Sequence, residues 1–201
     1  MKERGMIFNA EMVRALLDGR KTQTRRIIKD CTVGRDPISK FIKIGKKFIG
    51  CYPEDVPELI RECCPYGVPG DRIWVRETWA EAGASAPDLK LYRANYPEHV
   101  PSIYENVPPA EEIRWTPSIH MPRTASRILL EITGVRVERL QYITLGDICK
   151  EVGCGLYDFR PATHGFQVWE ELWKSIYGAE SWNANPWVWV IEFKRVEGGA
   201  A

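Results

Sequence analysis

Apolar positions at Met12, Val13, Leu16 and Leu17 form one helical stripe, opening after the N-cap type residue Asn9 and stopping at Gly19. A first strand is predicted at Ile7-Phe8 and another across Lys21 to Ile28, rich in β-branched residues. Residues 29–69, basic and then proline-containing, lead to a strong strand from Arg72 to Trp79, entered by Gly70-Asp71. From Ser126 to Leu140, Ile128, Leu130 and Ile132 alternate until Gly134, after which Val135 and Val137 take the opposite parity, so Gly134 predicts a bulge or turn. Thr144-Leu145-Gly146-Asp147 has the spacing of a capped helix start, and a helix is predicted to about Val152. A further helix over about 167–177 carries Val168, Leu172, Trp173 and Ile176, and a last strand places Trp187, Trp189, Ile191 and Phe193 on one face.

About five strands with short helices between them predict an α+β fold: a small closed or nearly closed β-barrel with helical decoration. Residues 82–122 hold seven of the 14 prolines and read as a loop-rich insertion in a single domain spanning 1–201. Neither a G-x-G-x-x-G nor a G-x-x-x-x-G-K-[ST] run is present, which argues against a doubly wound nucleotide-binding sheet, and no cofactor is expected.

Composition narrows the setting. The 201 residues are 44% apolar, with no run approaching the ~18 consecutive apolar residues of a membrane span. The start, Met1 to Gly5, runs into an amphipathic segment without a signal-like apolar core, which predicts a cytoplasmic protein with no membrane partner. Six cysteines lack C-x-x-C spacing, so reduced thiols are expected and no metal. A zinc site from Cys63 or Cys64 with Cys51 and Cys149 or Cys154 is the less favoured alternative. The net charge of +1 hides a division: residues 1–50 carry 13 Lys+Arg against 5 Asp+Glu, and the remainder 15 against 22. A basic N-terminal part beside an acidic body points to a local anionic ligand rather than a generally adhesive surface.

The basic part is densest at Gly19-Arg20-Lys21-Thr22-Gln23-Thr24-Arg25-Arg26, four cations and two hydroxyls in eight residues at a helix-to-strand junction. Arg20, Arg25 and Arg26 offer planar donor forks for phosphate or carboxylate, Lys21 an amine that loses its proton when desolvated, and Thr22 and Thr24 hydroxyls able to bind or attack. A solvated basic turn is the plain alternative. Strand parity adds Glu77: if Ile73 and Val75 face the interior, so does this carboxylate, as a general base or as a salt-bridge partner of Arg25, Arg26 or Arg127. Trp74 and Arg76 fall on the opposite face, where an indole beside a guanidinium suits base stacking or rim packing. Arg123, Ser126 and Arg127 open the next strand and could extend a phosphate-binding surface, or pair with surface carboxylates. The tryptophans from Trp169 onward read chiefly as core.

The segment from Leu17 to Arg26 resembles the G-x-K-x-x-T-x-R-like mark of the ASCH domain family, whose members belong to the PUA-like β-barrels. Cys64-Pro65-Tyr66-Gly67, Gly70 to Glu77, Met121-Pro122-Arg123, Ser126-Arg127-Ile128 and Asn185 to Val190 resemble a phage and prophage branch of it. This implies a PUA-like barrel of about five to six strands with a mouth that receives RNA, single-stranded nucleic acid or a modified nucleotide. One branch with a similar Lys-Thr-x-Thr run hydrolyses the acetyl amide of N4-acetylcytidine using a Lys, a Thr and a Glu. Lys21 and Thr24 match that pattern, and Glu151, after the Thr144-Leu145 turn, falls in the region of the Glu without its offset.

Three readings follow. The first is a nucleic-acid or nucleotide binder with hydrolytic, amidohydrolase or ribonuclease-like, capacity. The others are an amidohydrolase of acylated cytidine nucleosides, and a phage accessory protein binding a host protein through its insertion. In the hydrolytic reading Lys21, its pKa lowered by Arg25 and Arg26, takes a proton from Thr24 or a water, and Glu151 or Glu77 passes it to the leaving amine. On an ideal strand positions 21 and 24 face opposite ways, so this requires Lys21 to sit in the preceding turn or a bulge to intervene.

Overall fold

A computed structural model describes residues 1–29, 42–44, 47–49, 60–61, 64–84, 86–155, 158–159 and 161–196, with backbone alone for 42–44 and 47–49. Much of the 29–69 connection, and Cys31, Cys51 and Cys63, lie outside the described residues.

The N-terminal pattern becomes strand β1 (Glu3–Ile7), helix α1 (Ala10–Leu17) and strand β2 (Gln23–Ile27). Asn9 caps α1 by accepting from the Met12 amide at 2.8 Å, and Gly19 leaves the helix with φ +70°. A short hairpin follows, β3 (Ile42–Ile44) with β4 (Lys47–Ile49). The strong strand is shorter than predicted: β5 spans Arg72–Arg76, and after Glu77 and Thr78 the chain starts a separate hairpin, β6 (Trp79–Glu81) with β7 (Lys90–Tyr92). The Pro-rich segment therefore opens with sheet and then runs through short 3₁₀ turns, not loop throughout. Next come β8 (Leu129–Arg139), α2 (Leu145–Val152), α3 (Ala162–Tyr177), α4 (Ala179–Asn183) and β9 (Trp187–Arg195).

Five strands form one mixed sheet in the order β1-β5-β8-β9-β2, with β1 parallel to β5 and the other pairs antiparallel. The register of β8 on β9 slips between Ile132 and Gly134, the bulge that the parity switch predicts. Strand β9 is buried on both faces. Trp187, Trp189, Ile191 and Phe193 join the core under Val13 and Leu16 of α1, whereas Val188 and Val190 pack against Ile148 of α2 and Trp169 and Trp173 of α3. The α2 and α3 starts meet closely at Gly165, where an added Cβ would lie 2.5 Å from Leu145 Cδ1 and 2.9 Å from Phe159 Cγ.

The expected closure into a barrel is not formed among the described residues. Strands β1 and β2 are the two edges, and no ladder joins them. The Arg26 side chain stands in the gap instead, its Nη2 donating to the Ile7 carbonyl at 2.8 Å. A side chain in place of backbone pairing leaves a cavity of about 390 Å³ along this seam, floored by Gly5 and Ile7. No helix among the described residues is long and apolar enough to cross a membrane.

Candidate functional site

The turn between α1 and β2 is tied down by backbone bonds. The amides of Arg20 and Lys21 donate to the Ala15 carbonyl at 2.9 and 3.0 Å, and the Thr22 amide donates to Lys150 at the end of α2 at 3.1 Å. Because β2 begins only at Gln23, Lys21 sits in the turn, and strand alternation does not separate it from Thr24.

Helix α2 brings its carboxylates to this turn. Thr144 caps it by accepting from the Asp147 amide at 3.1 Å, and Glu151 lies on its buried face. Lys21, 2% exposed, donates from Nζ to the Glu151 main-chain oxygen at 2.5 Å and lies 3.9 Å from Glu151 Oε1. The Arg25 amide donates to that same Oε1 at 2.7 Å. Arg25 itself is fully buried, with Nη2 3.1 Å from Glu138 Oε2 and 3.5 Å from Asp147 Oδ2, and Nη1 3.8 Å from Glu151 Oε2. Its guanidinium stands over the Trp169 ring, 5.9 Å from the centroid.

Burial lowers the Lys21 pKa from 10.5 to about 8; the Glu151 carboxylate opposes this and the nearby Arg26 and Arg25 add to it. Desolvation, not the neighbouring arginines, is thus the main cause. The Asp147 carboxyl is held below its ordinary value, since the Thr144 hydroxyl, Arg25 and Arg136 together outweigh its own burial.

Thr24, Arg25, Arg26, Glu151 and Trp169 line a small chamber of about 10 Å³, the space of one water. Three polar atoms of these residues are buried without a hydrogen-bond partner: Arg25 Nε, Glu151 Oε2 and Trp169 Nε1. Met12 borders this chamber, the seam cavity and a second cavity of about 320 Å³ on the far side that Glu151 also lines. Met12, an unbranched and adaptable side chain, therefore stands where the three spaces meet.

The remaining sequence candidates sit elsewhere or are already engaged. Glu77 is buried as parity predicts, along with Ile73 and Val75, but both its oxygens are taken by Arg127 at 3.0 and 2.9 Å. Arg127 also donates to Asn95 Oδ1 at 2.8 Å and stacks on Tyr92, 4.0 Å from the ring centroid. The salt-bridge alternative for Glu77 is thus the one observed, and Glu77 is removed as a general base. Ser126 directs its hydroxyl to the Val75 and Ile128 carbonyls at 2.8 and 3.3 Å, and Arg123 pairs with Glu3 at 2.9 Å, so no phosphate-binding row forms across Arg123, Ser126 and Arg127. Arg20 pairs with Asp18 at 2.7 Å and donates to the Gly153 carbonyl, holding the turn. Thr22 is exposed there. Arg76 stacks on Trp74 at 5.5 Å, the indole and guanidinium juxtaposition expected on that face.

Trp169, Asp147 and Glu138 were not legible as site residues. Trp169 and Asp147 have ordinary core and capping roles as well, and Glu138 is 113 positions from the Arg25 it meets. Among the described residues no group of His, Cys, Asp and Glu side chains is arranged to hold a metal ion. Compared with known proteins, the chain matches no family model, no curated protein and no solved structure.

Proposed function

We propose that this protein hydrolyses an amide on a small nucleoside-type substrate, of the N4-acetylcytidine class, in the chamber shared by Thr24 and Glu151. The observation that carries the reading is a low-pKa amine buried against Glu151, beside a chamber that Thr24 and Glu151 line and whose residues carry three unpartnered polar atoms. Buried polar groups are almost always satisfied, so a guanidinium N–H, a carboxylate oxygen and an indole N–H without partners on the residues of one chamber suit the recognition of a polar substrate. The likeness of the Leu17 to Arg26 segment to ASCH domains, and the PUA-like ancestry this implies for the open sheet, point the same way.

In this mechanism the substrate enters by displacing the Met12 side chain, and its carbonyl oxygen accepts from Arg25 Nε and Trp169 Nε1, which then stabilise the negative charge of the tetrahedral intermediate. Neutral Lys21 takes the proton of the Thr24 hydroxyl as its oxygen bonds to the carbonyl carbon. Glu151 relays that proton to the exocyclic nitrogen as the C–N bond breaks, releasing cytidine. A water then attacks the acyl-threonine, giving acetate and restoring Thr24.

A small enclosed substrate is favoured over an RNA polymer because the basic cluster, Arg26 apart, is paired with carboxylates. Arg20 faces Asp18, and Arg25 faces Glu138, Asp147 and Glu151. The test is release of acetate and cytidine from N4-acetylcytidine by the wild-type protein, with Lys21→Met and Thr24→Val alongside. Turnover by the wild type and a loss of about 10²–10⁴-fold in each variant is expected. Absence of wild-type turnover over a pH range of 7 to 9, or variants as active as the wild type, overturns the reading.

A further inference from the structure

The seam cavity between β1 and β2 is lined by two guanidiniums, Arg26 and Arg76, and by no carboxylate. Six other arginines, Arg4, Arg20, Arg25, Arg123, Arg127 and Arg136, each face an Asp or Glu within 3.1 Å. Arg26 and Arg76 make no ion pair with any described residue and bond instead to neutral groups. Arg26 donates to the Ile7 carbonyl at 2.8 Å and to the Tyr177 hydroxyl at 3.4 Å, and stacks on Phe8 at 5.4 Å. Arg76 stacks on Trp74 and donates to the Ile119 carbonyl, leaving its Nε buried and unpartnered. Two like charges at one cavity repel, and an anion bound between them relieves that repulsion.

The surrounding chain keeps them there. On the parallel β1–β5 pair Gly5 lies opposite Trp74, and an added Cβ would come 2.6 Å from Trp74 Cζ2 and 2.9 Å from Arg76 Cδ. Glycine is what lets the indole and guanidinium lie flat across β1. Tyr66 completes the lining, and burial keeps its hydroxyl protonated as a further donor even with Arg26 nearby.

We propose that this cavity is a phosphate subsite, and that the molecule hydrolysed is therefore an acylated cytidine 5′-monophosphate rather than the free nucleoside. The inference rests on the amidohydrolase reading for the neighbouring chamber. Arg26, Met12 and Ile176 line both spaces, so a phosphate held by Arg26 and Arg76 directs the other end of the nucleotide toward Thr24 and Glu151. A mononucleotide is favoured over RNA because the two unpaired guanidiniums of this cavity are not continued by Arg123 and Arg127, both of which are paired.

Calorimetric binding of cytidine 5′-monophosphate, cytidine and a short oligocytidylate to the wild-type protein tests it without reference to catalysis. The monophosphate is expected to bind at least ~10-fold more tightly than cytidine, with inorganic phosphate competing. In Arg76→Gln, whose fold is verified by circular dichroism, the ratio collapses toward one. Equal affinity for nucleotide and nucleoside overturns the subsite, as does oligocytidylate binding more tightly than the monophosphate with a steep salt dependence. The two proposals fail separately. A phosphate preference without turnover of either acetylated compound defeats the hydrolase and keeps the subsite; turnover of acetylcytidine with no phosphate preference does the reverse.

Discussion

Two glutamates are buried beside arginines in this molecule, at 2% and 3% exposure, and they differ in how completely they are satisfied. Glu77 is gripped through both oxygens by Arg127, which is itself fixed by Asn95 and Tyr92. Glu151 has one oxygen bonded to the Arg25 amide and the other without a partner, 3.8 Å from Arg25 Nη1, and it faces a buried amine with pKa about 8. The first arrangement locks the β5–β6 corner. The second leaves a carboxylate lone pair on a residue lining a chamber the size of one water, with an exchangeable proton on the amine packed against that residue. Burial and charge alone did not separate these sites; the hydrogen-bond inventory does.

The strongest way to break the contrast is to exchange the same chemistry at both positions. Glu151→Gln is expected to lower turnover of the acetylated substrate by about 10²–10⁴-fold with the fold retained, because the amide keeps the bond to Arg25 N but relays no proton. Glu77→Gln is expected to cost about 3–5 kcal/mol in denaturant unfolding, since Arg127 is left without its buried counter-charge, with turnover per folded molecule unchanged. If Glu77→Gln abolishes turnover in protein that remains folded, the two glutamates do not divide structure and chemistry as argued.

Titration sharpens the comparison on the Lys21 side. Its folded pKa of about 8 lies below the ordinary 10.5. Below pH 8 both folded and unfolded chains hold the proton and the cost of the buried ammonium is constant. Between pH 8 and 10.5 only the unfolded chain holds it, so stability rises with pH by up to ~3 kcal/mol relative to Lys21→Met, which has nothing to titrate there. Turnover should rise through the same lower limit as the amine is freed. Chemical denaturation of both proteins across this range measures the difference; parallel curves would show that Lys21 is not depressed.

A smaller effect concerns how α2 is held. Gly165→Ala pushes a methyl into Leu145 and Phe159 and is expected to destabilise by about 1–3 kcal/mol. As α2 carries Glu151, turnover at fixed folded fraction should fall too, whereas the Glu77–Arg127 corner, on other elements, should be indifferent.

Local features of this fold were legible because they depend on near neighbours. The Asn9 and Thr144 caps, the end of α3 at Tyr177 before Gly178, and the Gly134 bulge all follow from residues within a turn of one another. Two-faced burial of β9 was half visible: the odd positions read as core, while Val188 and Val190 needed α2 and α3 to be placed above them. The parallel pairing of β1 with β5 and the unjoined β1 and β2 edges are contacts at long separation that no periodicity encodes. The same holds in the site. Lys21, Thr24 and Glu151 were visible as candidates by resemblance, but the neutralisation of Arg25 by Glu138 and Asp147 arises only when β8 and α2 fold over β2. For Glu77, parity gave the burial and left base and salt bridge both open; only the fold, bringing Arg127 from 50 positions away, selects the salt bridge.

The claim on which the contrast turns is that Lys21 is a buried amine able to shed its proton near neutrality beside Glu151. Nuclear magnetic resonance titration of the lysine side-chain amines in the wild type and in Lys21→Met tests it most directly. One resonance titrating near pH 8, lost in Lys21→Met, is the predicted result. All lysines titrating above pH 10 would contradict the account.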